Sequence, residues 1–254
     1  MAQNRGVPPQ GFDSALAAVS GVEGWMTDAQ AQRLWQRAQA LSPPGQIVEI
    51  GSFRGRSAVV LARAAREGVR VTAIDPHAGN DRGPQQIEGT ADEGHADHEA
   101  FLTNLERGGV AARVRHVRLP SQEALASVDG AVDVLYVDGA HRYAPARADI
   151  AEWGARVAPG GTLLIHDSFS SIGVTLAILR VLSFGSDFVY VGRSGSLAEY
   201  RREHLATGPR VRDAGRQLAE LPWFARNVLV KVALVTRLRP LARLLGHRSS
   251  DWPY

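Results

Sequence analysis

Cysteine is absent from the 254-residue sequence, and so is any long apolar run. The first absence excludes disulfides and thiolate-bound metal. The second excludes a membrane-spanning helix, which needs about 20 consecutive apolar residues; no stable membrane insertion is expected. The stretch from Met1 to Phe12 holds no apolar segment of signal-peptide length, so a cytoplasmic location is expected. Lysine is nearly absent as well. Lys231 is the only one, and arginine carries the positive charge. The formal net charge is only +3, and the arginines are spread along the chain, thickening only beyond Arg201. A nucleic-acid binder clusters its positive charge, so no nucleic-acid partner is expected. What is abundant is apolar surface: 44% of residues are hydrophobic, enough to bury a large core without covalent staples.

No internal repeat or low-complexity block is present. Residues 14–41 read as one or two helices, with Leu34, Trp35, Ala38 and Leu41 at helical spacing. Ser42-Pro43-Pro44-Gly45 then interrupts the chain. Strand-like apolar runs over 46–50, 69–74, 113–119, 132–137 and 162–166 alternate with helical segments over 57–66, 95–107, 121–128, 143–157 and 171–183. Pro159-Gly160-Gly161 is the expected stop of the helix over 143–157. Two short strands follow over 188–191 and 197–200. The alternation predicts an α/β fold, Rossmann-like and doubly wound, with a mostly parallel seven-stranded sheet and helical additions at both ends. The expected division is a helical cap over 1–44, the α/β domain over 45–202 and a helical extension over 203–254. In such sheets ligands sit at the carboxyl ends of the strands, so the residues just after each strand are the candidates for a site.

After the first strand the chain reads Glu49-Ile50-Gly51-Ser52-Phe53-Arg54-Gly55-Arg56-Ser57. Gly51 allows a sharp turn, and Gly55 allows close approach at the helix start. The spacing is not the G-x-G-x-x-G of dinucleotide enzymes, which disfavours a dehydrogenase. Asp75 ends the second strand, where a carboxylate can accept hydrogen bonds from ribose hydroxyls. The plain alternative is a set of ordinary turn glycines and a capping aspartate. The form E-x-G-x-x-x-G resembles motif I of the class I methyltransferases. That resemblance implies S-adenosylmethionine as cofactor, its amino-acid end near Glu49, Gly51, Ser52, Gly55 and Ser57. It also implies adenine contacts near Ser121 and Gln122, with Asp138 beside the cofactor.

The fourth and fifth strands end in Asp138-Gly139-Ala140-His141 and His166-Asp167-Ser168. Neighbouring strands lie about 4.8 Å apart, so Asp138 and Asp167 can share one ion. Successive strand residues point to opposite faces, which weighs against His166 reaching the same ion. Each residue also has a structural reading: Asp138 as a helix cap, His141 as an exposed loop residue, Asp167 as a partner of local backbone. The order Asp-Gly-x-His, helix, Pro-Gly-Gly, acidic strand end resembles the metal-dependent sugar O-methyltransferases, over residues 45 to 170. The resemblance implies Asp138 and Asp167 as metal ligands and His141 as general base. Relatives carry Glu-Asp where this chain has His166-Asp167, so His166 is a metal-ligand candidate of altered chemistry. Mg²⁺ is the expected ion, with Mn²⁺ the nearest rival, because Mg²⁺ favours oxygen donors and imidazole favours transition metals.

The expected activity is therefore methyl transfer to a hydroxyl of a small molecule, most simply a sugar or oligosaccharide. A catechol or other natural product is the alternative acceptor. An RNA methyltransferase lacks support, because Asp138-Gly139-Ala140-His141 replaces the Pro-Pro-aromatic signature used to stack a flipped base. A non-catalytic cofactor-binding protein would not need Asp138, His141 and Asp167 together. Three further features stand out. Residues 78–95 are long and polar enough for a lid. His95 and His98 with nearby acids read as a solvated helix start rather than a second metal site. Residues 221–245 are apolar nearly all round and too short to span a bilayer. They read first as a homodimer interface, with an interfacial membrane helix as the alternative.

Overall fold

A computed structural model describes residues 11–79 and 89–247. Seven strands, β1 (Gln46–Ile50), β2 (Arg70–Ile74), β3 (Val114–Val117), β4 (Val132–Val137), β5 (Val157–Ile165), β6 (Phe188–Ser194) and β7 (Leu197–Arg202), form one sheet in the order β3-β2-β1-β4-β5-β7-β6. Strands β1 to β5 pair in parallel, and β7 runs antiparallel to both its neighbours. This is the mostly parallel, doubly wound sheet expected from the sequence. The direction of winding reverses between β1 and β4, which marks the crevice where ligands bind in such sheets.

The pleat explains the uninterrupted apolar strands. Ile47, Val134 and Leu164 belong to one apolar cluster; Val48, Leu135 and Leu163, next to them in sequence, belong to the other. Adjacent residues therefore feed opposite faces, and both faces are covered. The first cluster is closed by α1 (Phe12–Ala18), α2 (Asp28–Gln39), α3 (Arg56–Ala64) and α4 (Ala91–Arg107). The second is closed by α6 (Tyr143–Ala148), Ile150 and Trp153, and α7 (Ile172–Val181). A short α5 (Ser121–Ala124) follows β3, and α8 (Thr207–Leu218), α9 (Leu221–Val235) and α10 (Arg239–Leu244) complete the described chain.

The N-terminal helices are fastened to the sheet by charge as well as by packing. Buried Glu199 on β7 meets Arg33 at 2.5 Å and Arg37 at 2.7 Å, both from α2. Gln30 Nε2 also donates to Ser196 Oγ at 3.1 Å.

One local expectation is narrowed and two are corrected. The helical stretch over 14–41 is two helices, because Thr27 and Gln30 form a reciprocal capping box that starts α2 afresh. Helix α4 starts at Ala91 rather than 95, through an equivalent box between Thr90 and Glu93. The expected helix over 143–157 is helical throughout 143–156, but Pro159-Gly160-Gly161 is not the turn between it and a strand at 162. It lies within β5, opposite a register shift at Val132–Val134, and the preceding segment ends in a π turn (Asp149–Trp153) and a 3-10 turn (Gly154–Arg156). Half of the expected lid over 78–95, residues 80–88, lies outside the described residues.

Candidate active site

The carboxyl ends of β1, β2, β4 and β5 surround a cleft of about 420 Å³, within the range of about 300–1,000 Å³ typical of small-molecule sites. Its wall includes Gly51, Ser52, Ser57, Asp75, Ser121, Gln122, Asp138, His141, His166 and Asp167, all expected from the sequence. Glu49 and Gly55, also expected, are absent from the wall.

The turn after β1 leaves no room for a side chain. Gly51 has φ +84°, and a Cβ there would lie 2.2 Å from the Asp138 carbonyl oxygen and 2.8 Å from Gly139 Cα. The glycine thus lets β1 and β4 come together at the crevice. Gly55 shapes the next turn: it precedes α3 with φ +84°, and a Cβ there would press on Phe101 at 3.1 Å. Its role is packing against α4. Glu49 stands behind the cleft, fully buried, and accepts a hydrogen bond from Ser57 Oγ. Burial pushes its carboxyl up to about 8, with smaller contributions from the Asp138 and Asp75 charges against the Ser57 bond. At neutral pH Glu49 is largely protonated and supports the loop from beneath through Ser57.

Asp75 braces the same turn from β2. Its Oδ2 accepts from Phe53 N–H and its Oδ1 from His77 N–H, both at 2.8 Å. Each oxygen retains a lone pair for a ligand hydroxyl. Beside it, the Ser52 Oγ is buried without a hydrogen-bond partner among the described residues. The Trp25 and Phe53 rings meet at 5.5 Å and help line the cleft.

At the opposite wall, Ser121 Oγ and Gln122 Nε2 both donate to Asp149 Oδ1, at 2.5 and 2.8 Å. Burial raises the Asp149 carboxyl to about 6. Sequence reading missed this residue. The available signal was an aspartate eight residues beyond His141 in an otherwise helical stretch, and it opens the π turn, an irregularity frequent at functional sites.

The ends of β4 and β5 bring four ionisable groups together. Asp138, His141 and Asp167 each offer a ligand atom, and all three atoms lie within 4.8 Å of one another. His141 Nε2 is 2.9 Å from Asp167 Oδ2. His166 Nδ1 is 3.1 Å from Asp138 Oδ1 and 3.4 Å from Asp167 Oδ2. The alternation argument for His166 and Asp167 does not apply, because β5 ends at Ile165 and Asp167 turns with φ +54°. His166 is outside the trio of convergent donors and sits beside both carboxylates instead. Tyr136, two residues before Asp138 on the same pleat face, donates its hydroxyl to Asp138 Oδ2 at 2.7 Å.

Electrostatics follow from this packing. Burial works against the charged imidazolium of His141, but the Asp167 charge and hydrogen bond outweigh it and raise its pKa. The same balance, with Asp138 and then Asp167 as the opposing charges, holds His166 well above the usual imidazole range. Burial would raise the Asp167 carboxyl, yet His166 and His141 hold it well below its ordinary value. The loop bearing His141 is fixed from below. A Cβ at Gly173 of α7 would lie 2.2 Å from the His141 carbonyl oxygen, and Ser171 Oγ donates to that carbonyl at 3.3 Å.

The solvated helix start expected at His95 and His98 holds for His95 but not for His98 or for Asp97, which is buried against Arg54. His95 is exposed beside Glu99 at 3.3 Å, while His98 stacks on His77 and His116, with ring centroids 5.1 Å apart.

Comparison with known proteins accords with this geometry. Residues 48–168 match the family described as a methyltransferase domain. An uncharacterized protein of Sinorhizobium fredii, y4gI, is 28% identical over 130 residues, which cover 49% of this chain and 13% of that relative's length. Among solved structures, the O-methyltransferase TomG from Streptomyces achromogenes, involved in tomaymycin synthesis and solved with SAM, gives a TM-score of 0.53 at 20% identity, over 76% of this chain and 89% of TomG. Cofactor-bound Rv0187 from MTB gives 0.52 at 21% identity, over 78% of this chain and 91% of that one. The O-methyltransferase NovP gives 0.53 at 17% identity, over 70% and 81% respectively. At these identities the structural likeness is one of fold.

Proposed function

We propose, from the match of residues 48–168 to the methyltransferase-domain family, that the protein transfers a methyl group from S-adenosylmethionine to a hydroxyl of a small molecule. The observation that carries the reading is the convergence of Asp138, His141 and Asp167 on the floor of a cleft whose other wall is the glycine turn and Asp75.

The cleft suits the cofactor. Asp75 can accept from the ribose hydroxyls through its remaining lone pairs, and buried Ser52 Oγ offers an unpaired polar atom to the amino-acid end. Gln122 and Asp149 supply polar edges for a base. S-adenosylmethionine, when bound, supplies an electrophilic methyl on a sulfonium.

The trio also suits a divalent cation. Its donors are two carboxylates and an imidazole, and Asp167 Oδ1 is buried with no hydrogen-bond partner among the described residues. Asp138 and Asp167 would hold the ion. Mg²⁺ is the first choice for oxygen donors, and Mn²⁺ gains if His141 joins the shell. Such an ion lowers the pKa of a coordinated hydroxyl and offsets the carboxylate charge that holds His141 protonated.

The chain's own groups then have defined tasks. Asp167 Oδ2 accepts from His141 Nε2–H and orients the ring, and the His141 imidazole is the group assigned to take the proton of the acceptor hydroxyl. His166 and Tyr136 orient Asp138. Ser171 and the first turn of α7 hold the His141 backbone in place. A pair of neighbouring oxygens on the acceptor matches the two-carboxylate floor, which favours a sugar and then a catechol.

The test is His141→Ala, assayed by methyl transfer to a panel of sugars and catechols with Mn²⁺ or Mg²⁺ and after chelation. Loss of a general base costs about 10²- to 10⁴-fold in turnover, with S-adenosylhomocysteine binding preserved. Unchanged turnover in the variant would remove His141 from the chemistry, and unchanged turnover after chelation would remove the ion.

A further inference from the structure

The C-terminal helices carry an apolar face turned outward. Helix α9 is anchored by its inner side: Asn227, Val230 and Ala233 are buried, Asn227 Nδ2 donates to Phe169 O at 3.2 Å, and Lys231 Nζ donates to Ser170 O at 2.8 Å. Arg226 Nε donates to Leu245 O at 2.7 Å and ties the end of α10 to α9. The opposite side is a row of aliphatic residues in contact with solvent. Leu229 is 51% exposed, Val232 51%, Val235 70%, Leu238 53%, Leu241 40% and Leu244 84%. A single exposed leucine needs no explanation. A row of six on two docked helices is a surface built for a partner.

Charge identifies the partner. From Leu221 to Ser250 the sequence contains Arg226, Lys231, Arg237, Arg239, Arg243 and Arg248 and no aspartate or glutamate. These cations exceed the net +3 of the whole chain, so the rest is acidic on balance. A second copy packed symmetrically through this face would set exposed Arg237 and Arg243 against like charges, with no carboxylate between Leu221 and Ser250 to pair them. An anionic bilayer offers what the face lacks: phosphates for the arginines and an acyl boundary for the aliphatic row. We propose that α9 and α10 lie in the headgroup region of an anionic membrane, with Leu229, Val232, Val235, Leu238, Leu241 and Leu244 directed into the acyl boundary and exposed Arg237 and Arg243 at the phosphates. The binding is peripheral, since no helix among the described residues is long and apolar enough to cross a membrane.

The experiment is co-sedimentation of the full chain with phosphatidylcholine vesicles, with and without about 30 mol% phosphatidylglycerol to give an anionic surface. The wild type pellets with the anionic vesicles, stays in solution with the neutral ones, and is released by salt. Leu229→Glu with Val232→Glu lowers partitioning by more than about tenfold. Arg237→Gln and Arg243→Gln lower it by about fivefold each. Circular dichroism and the thermal midpoint, measured on every variant, confirm that these surface changes leave the fold intact. A wild type that remains in the supernatant with anionic vesicles overturns the proposal. So does a wild-type dimer in sedimentation equilibrium that Leu229→Glu with Val232→Glu dissociates, which assigns the face to a second copy of the chain.

Discussion

Gly51→Ala is the most informative single change at the crevice, because two costs act at once and one can be subtracted. The first is conformational: a residue with a side chain at φ +84° costs about 1–3 kcal/mol. The second is steric. The new Cβ would lie 2.2 Å from the Asp138 carbonyl oxygen and 2.5 Å from its carbonyl carbon. Those are backbone atoms of a central strand end and have no rotamer to change, so β4 must move, at about another 1–3 kcal/mol. For a chain of this size each kcal/mol lowers the thermal midpoint by about 2–4 °C, so the fall is between about 4 and 24 °C. Gly130→Ala is the control, with φ +79° and nothing within 4 Å of its Cβ, so it carries the first cost alone. Thermal unfolding of both variants isolates the steric term, and calorimetric titration with S-adenosylhomocysteine reads its effect on the cleft. Gly51→Ala is expected to unfold at a lower temperature than Gly130→Ala and to lose most of its affinity, since Ser52, Phe53 and Asp138 shift together. Equal midpoints and unchanged affinity would refute the close approach of β1 and β4 as the organiser of the site.

Two further outcomes follow from the buried charges. Glu49 has its folded pKa raised to about 8, above its unfolded value of about 4.3. Its contribution is therefore fully present below the unfolded value and is lost as pH rises through about 8. Against Glu49→Gln, which keeps the acceptor for Ser57, the wild type should be similar near pH 4 and fall progressively behind up to about pH 8. The gap read by urea unfolding should widen by about 1.4 kcal/mol for each pH unit in that window; a constant difference across it would contradict the assignment. Removing both Arg33 and Arg37 leaves Glu199 buried without its paired cations, at about 3–5 kcal/mol. Adding Glu199→Gln should recover much of that loss, and no recovery would show that the arginines act through packing rather than charge.

The fold was legible because strands buried on both faces leave continuous apolar runs. β1 and β4 have the boundaries that their sequences imply, residues 46–50 and 132–137. The capping boxes at Thr27 and Thr90 were also written in the sequence, as threonine followed three residues later by Gln30 or Glu93. They were hidden by reading hydrophobic spacing alone. The bulged Pro159-Gly160-Gly161 segment was not legible, since the same residues end helices and bend strands and only the pairing partner decides.

At the site, strand-end logic located Asp75, Asp138, His141 and Asp167. Strand-end logic also located His166 in the cleft; only the alternation argument against its meeting the carboxylates did not apply, because the left-handed turn at Asp167 ends the pattern that the strand imposes up to Ile165. Glu49 lies behind the cleft wall, which was not legible because a motif does not say which side of the backbone a carboxylate takes. Asp149 was invisible because its role depends on Ser121 and Gln122, 28 and 27 residues away.

The central claim is that the crevice between β1 and β4 is an S-adenosylmethionine site. Calorimetric titration of the full chain with S-adenosylhomocysteine, with and without Mn²⁺ or Mg²⁺, tests it most directly. The account predicts one site of micromolar affinity, weakened by Asp75→Ala. Absence of binding in every buffer would contradict it.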